Sequence, residues 1–150
     1  MEELVRLFEK YAACGPEVTE ELTSSGSNRR YYRIQGGGKS VIGAVGTSFE
    51  ENKAFITIAR HFKSKGINVP EVYAVSGDGM CYSQEDLGDD QLYKVISKGR
   101  DSGVYSHEEV ELLCKTMASL PKIQFEGAEG LDFSVCYPDS AFNERMVAFD

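Results

Sequence analysis

Apolar positions along the chain fall into runs whose spacing changes character from segment to segment. Leu4, Leu7, Phe8 and Tyr11 recur at helical intervals, which predicts an amphipathic helix over residues 2–13, closed by Gly15-Pro16. Glu17–Thr23 then reads as a strand and Ser24–Asn28 as a turn. Arg30–Ile34 reads as a second strand, aromatic and β-branched in character. Gly36-Gly37-Gly38 is a connector, and Lys39–Val45 is a short apolar third strand. Strands joined by tight Gly/Ser turns predict an antiparallel meander. Glu51, Phe55, Ile58, Ala59 and Phe62 next share one face of a helix, with Lys63, Lys65 and Gly66 as a favourable end. After Val69-Pro70, Val72–Val75 and Cys81–Gln84 read as two strands about the turn Ser76-Gly77-Asp78-Gly79.

Beyond the acidic run Glu85-Asp86-Leu87-Gly88-Asp89-Asp90 only helical spacing is found. Leu92, Val95 and Ile96 predict a short helix ending at Gly99. Ser106 and Glu109 form a capping box ahead of Val110, Leu113, Cys114 and Met117, and Pro121 is expected to end that helix. Residues 140–150 also read as helical. They finish on Met146, Val147 and Phe149 without a C-cap, an apolar end that implies a longer natural chain. The expected class is α+β. A five-stranded antiparallel sheet with one inserted helix occupies residues 1–86, and a helical region occupies residues 87–150.

Composition narrows the partners. A chain of 150 residues, 41% hydrophobic, is long enough for a real core. The net charge of −8 argues against a nucleic-acid or anionic-membrane surface but leaves room for a local basic site. Glu2 and Glu3 directly after Met1 carry the wrong sign for a secretory leader, and no apolar run reaches the ~20 residues a membrane span needs. Cys14, Cys81, Cys114 and Cys136 show neither CxxC pairing nor histidines at metal-ligand spacing, as expected of free thiols in a reducing cytoplasm.

Three segments carry candidate chemistry. The small-residue turn Ser25-Gly26-Ser27 lets backbone N–H groups approach phosphate oxygens, and the arginines behind it, Arg30 in particular, add charge-assisted donors. Glu51 opens the inserted helix and lies on the stripe of Phe55 and Ile58, which turns it toward the sheet. The strand ending at Gln84 runs into an exposed linker whose free backbone groups suit an adenine edge.

The order of these features resembles the N-terminal lobe of the aminoglycoside phosphotransferase and choline kinase-like family. It is most similar to the bacterial branch that phosphorylates cell-wall amino sugars such as N-acetylmuramate and N-acetylglucosamine. The matching text is Ser25-Gly-Ser-Asn-Arg-Arg-Tyr-Tyr-Arg-Ile34, Glu51-Asn-Lys-Ala-Phe55, Val69-Pro-Glu-Val72 and Gln84-Glu-Asp-Leu-Gly-Asp89, within residues 20–97. The resemblance implies a protein-kinase-like N-lobe followed by the hinge and first helices of a helical C-lobe. It implies ATP and Mg²⁺ as cofactors, with the Mg²⁺ ligands in a C-lobe that these residues do not include. Ser25, Gly26 and Ser27 would cover the ATP phosphates, Glu51 would position a phosphate-binding cation, and the backbone of Glu85 and Leu87 would grip adenine.

Two departures accompany the resemblance. Val41–Gly46 holds no Lys or Arg where kinases place a phosphate-binding lysine, leaving Arg30 and Lys39 as substitutes. The family's catalytic loop, His or Asn two residues before Asp with a later Asn, is absent, since neither His61 nor His107 precedes an Asp in that pattern. The expected function is therefore the nucleotide-binding part of an ATP-dependent kinase for a sugar or amino-sugar hydroxyl, inactive by itself. The alternative is a kinase-like regulatory module without catalysis. The expected partners are a nucleotide and a small-molecule acceptor, with self-association through the apolar faces near 106–120 and 140–150.

Overall fold

The computed structural model describes residues 1–23, 28–141 and 143–149. Its contacts divide the chain into two units, residues 1–86 with 131–150 and residues 87–130, so the final twenty residues group with the sheet rather than with the preceding helices.

The first unit is built on five antiparallel strands, β1 (Val18–Leu22), β2 (Arg30–Gly36), β3 (Lys39–Val45), β4 (Val72–Val75) and β5 (Cys81–Glu85), in the order β1-β2-β3-β5-β4. The order follows from short connections: β2 and β3 form a hairpin through Gly37 and Gly38, both at positive φ, and β4 and β5 form another. The meander and the second hairpin match the sequence expectation. The long segment between β3 and β4 lets β5, not β4, lie beside β3.

Each sheet face is covered by one helix, and strand alternation decides which side chains it meets. Helix α1 (Glu2–Ala12) lays Leu4, Leu7 and Phe8 on Tyr32, Ile34, Val41 and Cys81. Gly43 lies beneath α1, where a Cβ would come within 3.0 Å of Leu4. Tyr11 of α1 stacks on Tyr73 of β4 with ring centroids 4.3 Å apart, and burial pushes the Tyr73 phenol up to about 12. On the other face, Ile56 of helix α2 (Phe49–Ser64) packs with Ala44 and Tyr82. Fully burying side chains of this size contributes about 1.5–3 kcal/mol each.

The buried positions of α2 are not the stripe expected from its sequence. Asn52, Ala54 and Ile56 go inward, while Phe55, Ile58, Ala59 and Phe62 are half-buried and line an apolar groove of about 250 Å³ with Val69 and Pro70. A polar residue displaces the apolar face because its amide finds buried hydrogen-bond partners, described below. The end of the chain adds a 3₁₀ turn at Phe133–Val135, which contacts α2, and helix α6 (Glu144–Phe149), shorter than the expected 140–150.

The second unit contains helices α3 (Leu92–Val95), α4 (Ser97–Ser102) and α5 (His107–Pro121). The expected stop at Gly99 does not occur. Gly99 lies inside α4, donating its N–H to Glu109 Oε1 at 3.0 Å where a side chain would strike Tyr105, and Gly103 ends the helix at φ 75°. The Ser106–Glu109 capping box is present. Pro121 is the last residue of α5, as expected, and beyond it the backbone continues as a π-helix over Lys122–Glu126. Val110 and Met117 of α5 are exposed. Among the described residues no helix is long and apolar enough to cross a membrane.

Candidate functional site

The site grows from the start of α2. Ser48 caps this helix, its hydroxyl accepting from the Glu51 N–H at 3.2 Å, and Glu50 and Glu51 place negative charge in the first turn, where the helix dipole favours it. Glu51 is thereby held at the edge of the sheet, and the cation it meets is Arg29, at the entry to β2. Arg29 Nη2 lies 3.1 Å from Glu51 Oε1 and donates to the Glu51 carbonyl at 3.1 Å, while Arg29 Nε donates to Asn52 Oδ1 at 3.2 Å. The guanidinium sits 5.2 Å from the centroid of Phe55, within cation–π range. With a relative exposure of 9%, Arg29 is a buried arginine, and its polar atoms are matched accordingly.

Behind this pair, Phe55 stacks on Tyr82 at 5.1 Å. Tyr82 is fully buried, and burial, with the Tyr31 phenol beside it, pushes its own phenol well above the ordinary range. Further along β5, Gln84 Oε1 is buried and has no hydrogen-bond partner among the described residues.

Arg30 points elsewhere. It forms a two-pronged pair with Glu21 on β1, at 2.9 and 2.8 Å, in solvent, and that pair raises the Arg30 pKa and lowers that of Glu21. Lys39 donates to the Tyr11 carbonyl at 3.1 Å and sits over the Tyr11 ring. Of the cations considered from sequence, neither Arg30 nor Lys39 is the partner of Glu51. Arg29 is, and period-two alternation along β2 puts it on the opposite face from Arg30. That alternation was readable in the sequence; which face α2 covers was not.

Glu85 ends β5 with its N–H donating to the Glu71 carbonyl at 2.8 Å. Its carboxylate accepts from the Glu71 N–H at 3.1 Å and from Lys63 at 3.3 Å, and these bonds hold it below the usual carboxylate range. Leu87 is the first residue of the second unit, with its side chain exposed. Ser25, Gly26 and Ser27 lie outside the described residues.

Sequence reasoning also missed a clasp across the same face of the sheet. Arg33 of β2 grips Asp86 through Nε and Nη2, and Ser40 of β3 donates to the same carboxylate at 2.6 Å. Among the described residues no group of three or more His, Cys, Asp and Glu side chains is placed to hold a metal ion. No family model matches the chain, and no curated protein matches it.

Proposed function

We propose that this chain is the nucleotide-binding N-terminal part of an ATP-dependent small-molecule phosphotransferase, acting on a sugar or amino-sugar hydroxyl. The observation that carries the reading is the Arg29–Glu51 pair. A guanidinium held by a helix carboxylate is a cation of fixed orientation, and arginine matches phosphate oxygens with parallel N–H donors. It stands two residues after Ser27 in the sequence, in a chain whose net charge of −8 repels polyphosphate unless a local cation offsets it. Arg29 thus takes the part that Val41–Gly46 leaves empty, and the donor chemistry suits the phosphates of ATP. Bound Mg²⁺ would neutralise the phosphate charge. The transfer step needs an acceptor-activating base and metal ligands, and these 150 residues hold no His/Asn-x-Asp motif to supply them.

ATP binding tests the reading. The ¹⁵N-labelled chain is titrated with Mg·ATP and followed through its backbone amides and the arginine Nε–H signals. The expected result is saturable binding near millimolar affinity, about −4 kcal/mol, with Arg29 among the shifted signals. Shifts absent at Arg29 and α2, at ATP concentrations well above millimolar, overturn it.

A further inference from the structure

Asparagine is an uncommon tenant of a fully buried helix position, because an unmet amide there costs more than the helix contributes. Asn52 is 1% exposed. Its amide offers one acceptor and two donors, and each function has a partner. Nδ2 donates to the carbonyls of Gly79 and Met80, both at 3.0 Å, and Oδ1 accepts from Arg29 Nε at 3.2 Å. Nitrogen toward the two carbonyls and oxygen toward the guanidinium is the one assignment in which every contact runs from donor to acceptor. The Met80 carbonyl also accepts from the Gly46 N–H at 2.9 Å, and a Cβ at Gly46 would overlap the Asn52 amide. One side chain therefore ties together the entry to β2, the end of β3, the β4–β5 turn and the start of α2.

The bonds to Gly79 and Met80 would suffice for a purely architectural asparagine. The third bond goes to the cation of the candidate site. Asn52 Oδ1 anchors the guanidinium at Nε while Glu51 anchors it at Nη2, and two anchored nitrogens define the orientation of the guanidinium plane. We infer that Asn52 is a positioning residue for Arg29, setting the plane in which that guanidinium addresses a nucleotide phosphate. The inference rests on the nucleotide-binding reading above.

The test is a double-mutant cycle on Mg·ATP affinity, using the whole chain and four proteins: native, Arg29→Ala, Asn52→Ala and the double variant. Asn52→Ala is expected to weaken ATP binding about threefold or more in the native background. In the Arg29→Ala background it should change binding by less than about twofold, because the group it positions is gone. Amide spectra report whether each variant is folded. If Asn52→Ala does not fold, Gly46→Ala replaces it, since the new Cβ displaces the amide without deleting it; the same pair of results is expected. Equal weakening with and without Arg29 overturns the positioning role and leaves the nucleotide reading standing, as does unchanged affinity in the first background. A native chain that binds no ATP defeats the reading and this inference together.

Discussion

Arg33 and Asp86 are 53 residues apart in the chain and form a two-pronged ion pair, Nε to Oδ2 at 2.9 Å and Nη2 to Oδ1 at 3.2 Å. The side chains retain only 14% and 9% of their exposure, so water screens the pair little. Removing one partner leaves the other charged and largely buried. Arg33→Ala and Asp86→Ala are each expected to cost about 2–4 kcal/mol, with a coupling of at least about 1 kcal/mol between them. Urea unfolding of the two single variants and the double variant measures this. Additive losses would show that the pair contributes no mutual stabilisation.

The two adjacent arginines should separate cleanly. Arg30→Ala removes a solvent-exposed pair with Glu21, so its Tm should stay within a degree or two of the native value. Arg29→Ala strands Glu51 and the Asn52 oxygen, and is expected to cost about 1–3 kcal/mol of stability while weakening Mg·ATP binding about tenfold. Thermal melts and ATP titration of the same two variants decide. An Arg30→Ala variant that loses ATP binding while Arg29→Ala keeps it would reverse the assignment.

Thiol reactivity should follow burial. Cys114 is exposed on α5, whereas Cys81 is buried against α1, and burial raises its thiol pKa, disfavouring the reactive thiolate. With a thiol reagent at neutral pH, Cys114 should be modified first and Cys81 only on unfolding. Mass spectrometry of partly modified protein gives the order. Early modification at Cys81 would mean that α1 lifts from the sheet in the native state.

Glu109 links α5 to α4. One carboxylate oxygen accepts from the Ser106 N–H at 2.8 Å and the other from the Gly99 N–H at 3.0 Å, and these bonds, Ser106 first, lower its pKa below 4.5. A depressed folded-state pKa gives stability that is complete above the unfolded value and is lost as pH falls through the folded one. Protection of α4 and α5 amides from hydrogen exchange should therefore drop as the solution is acidified below about pH 4.5. Glu109→Gln, with one acceptor oxygen for two donors, should show lower protection at neutral pH and a flatter acid response. An unchanged acid response in that variant would assign the pH dependence to another group.

Phe8 is completely buried between α1 and the sheet. Phe8→Ala should cost about 3–5 kcal/mol, and the loss should appear in the denaturant midpoint with little change in slope. A cost under about 1 kcal/mol would mean that α1 contributes little to the sheet.

Local order in this protein was legible because it depends on neighbours in the chain. The spacing of Leu4, Leu7 and Phe8, the Gly37-Gly38 turn and the Ser106–Glu109 box each specify an element over a few residues, and all three elements formed. Glu51 was legible as an early helix acid, but its partner was not. Alternation along β2 states that Arg29 and Arg30 face opposite ways, whereas the choice between them depends on which face receives α2, and helix docking makes that choice. Asn52 carries no apolar signal in the sequence, and it is buried because Gly79, Met80 and Arg29 converge on it from other segments. Arg33 and Asp86 meet for the same reason, across β2, β3 and β5. Hydrophobic period is a property of adjacent residues and survives in the sequence. The pairing of buried polar groups is a property of surfaces brought together by the folded sheet, so only the tertiary structure decided it.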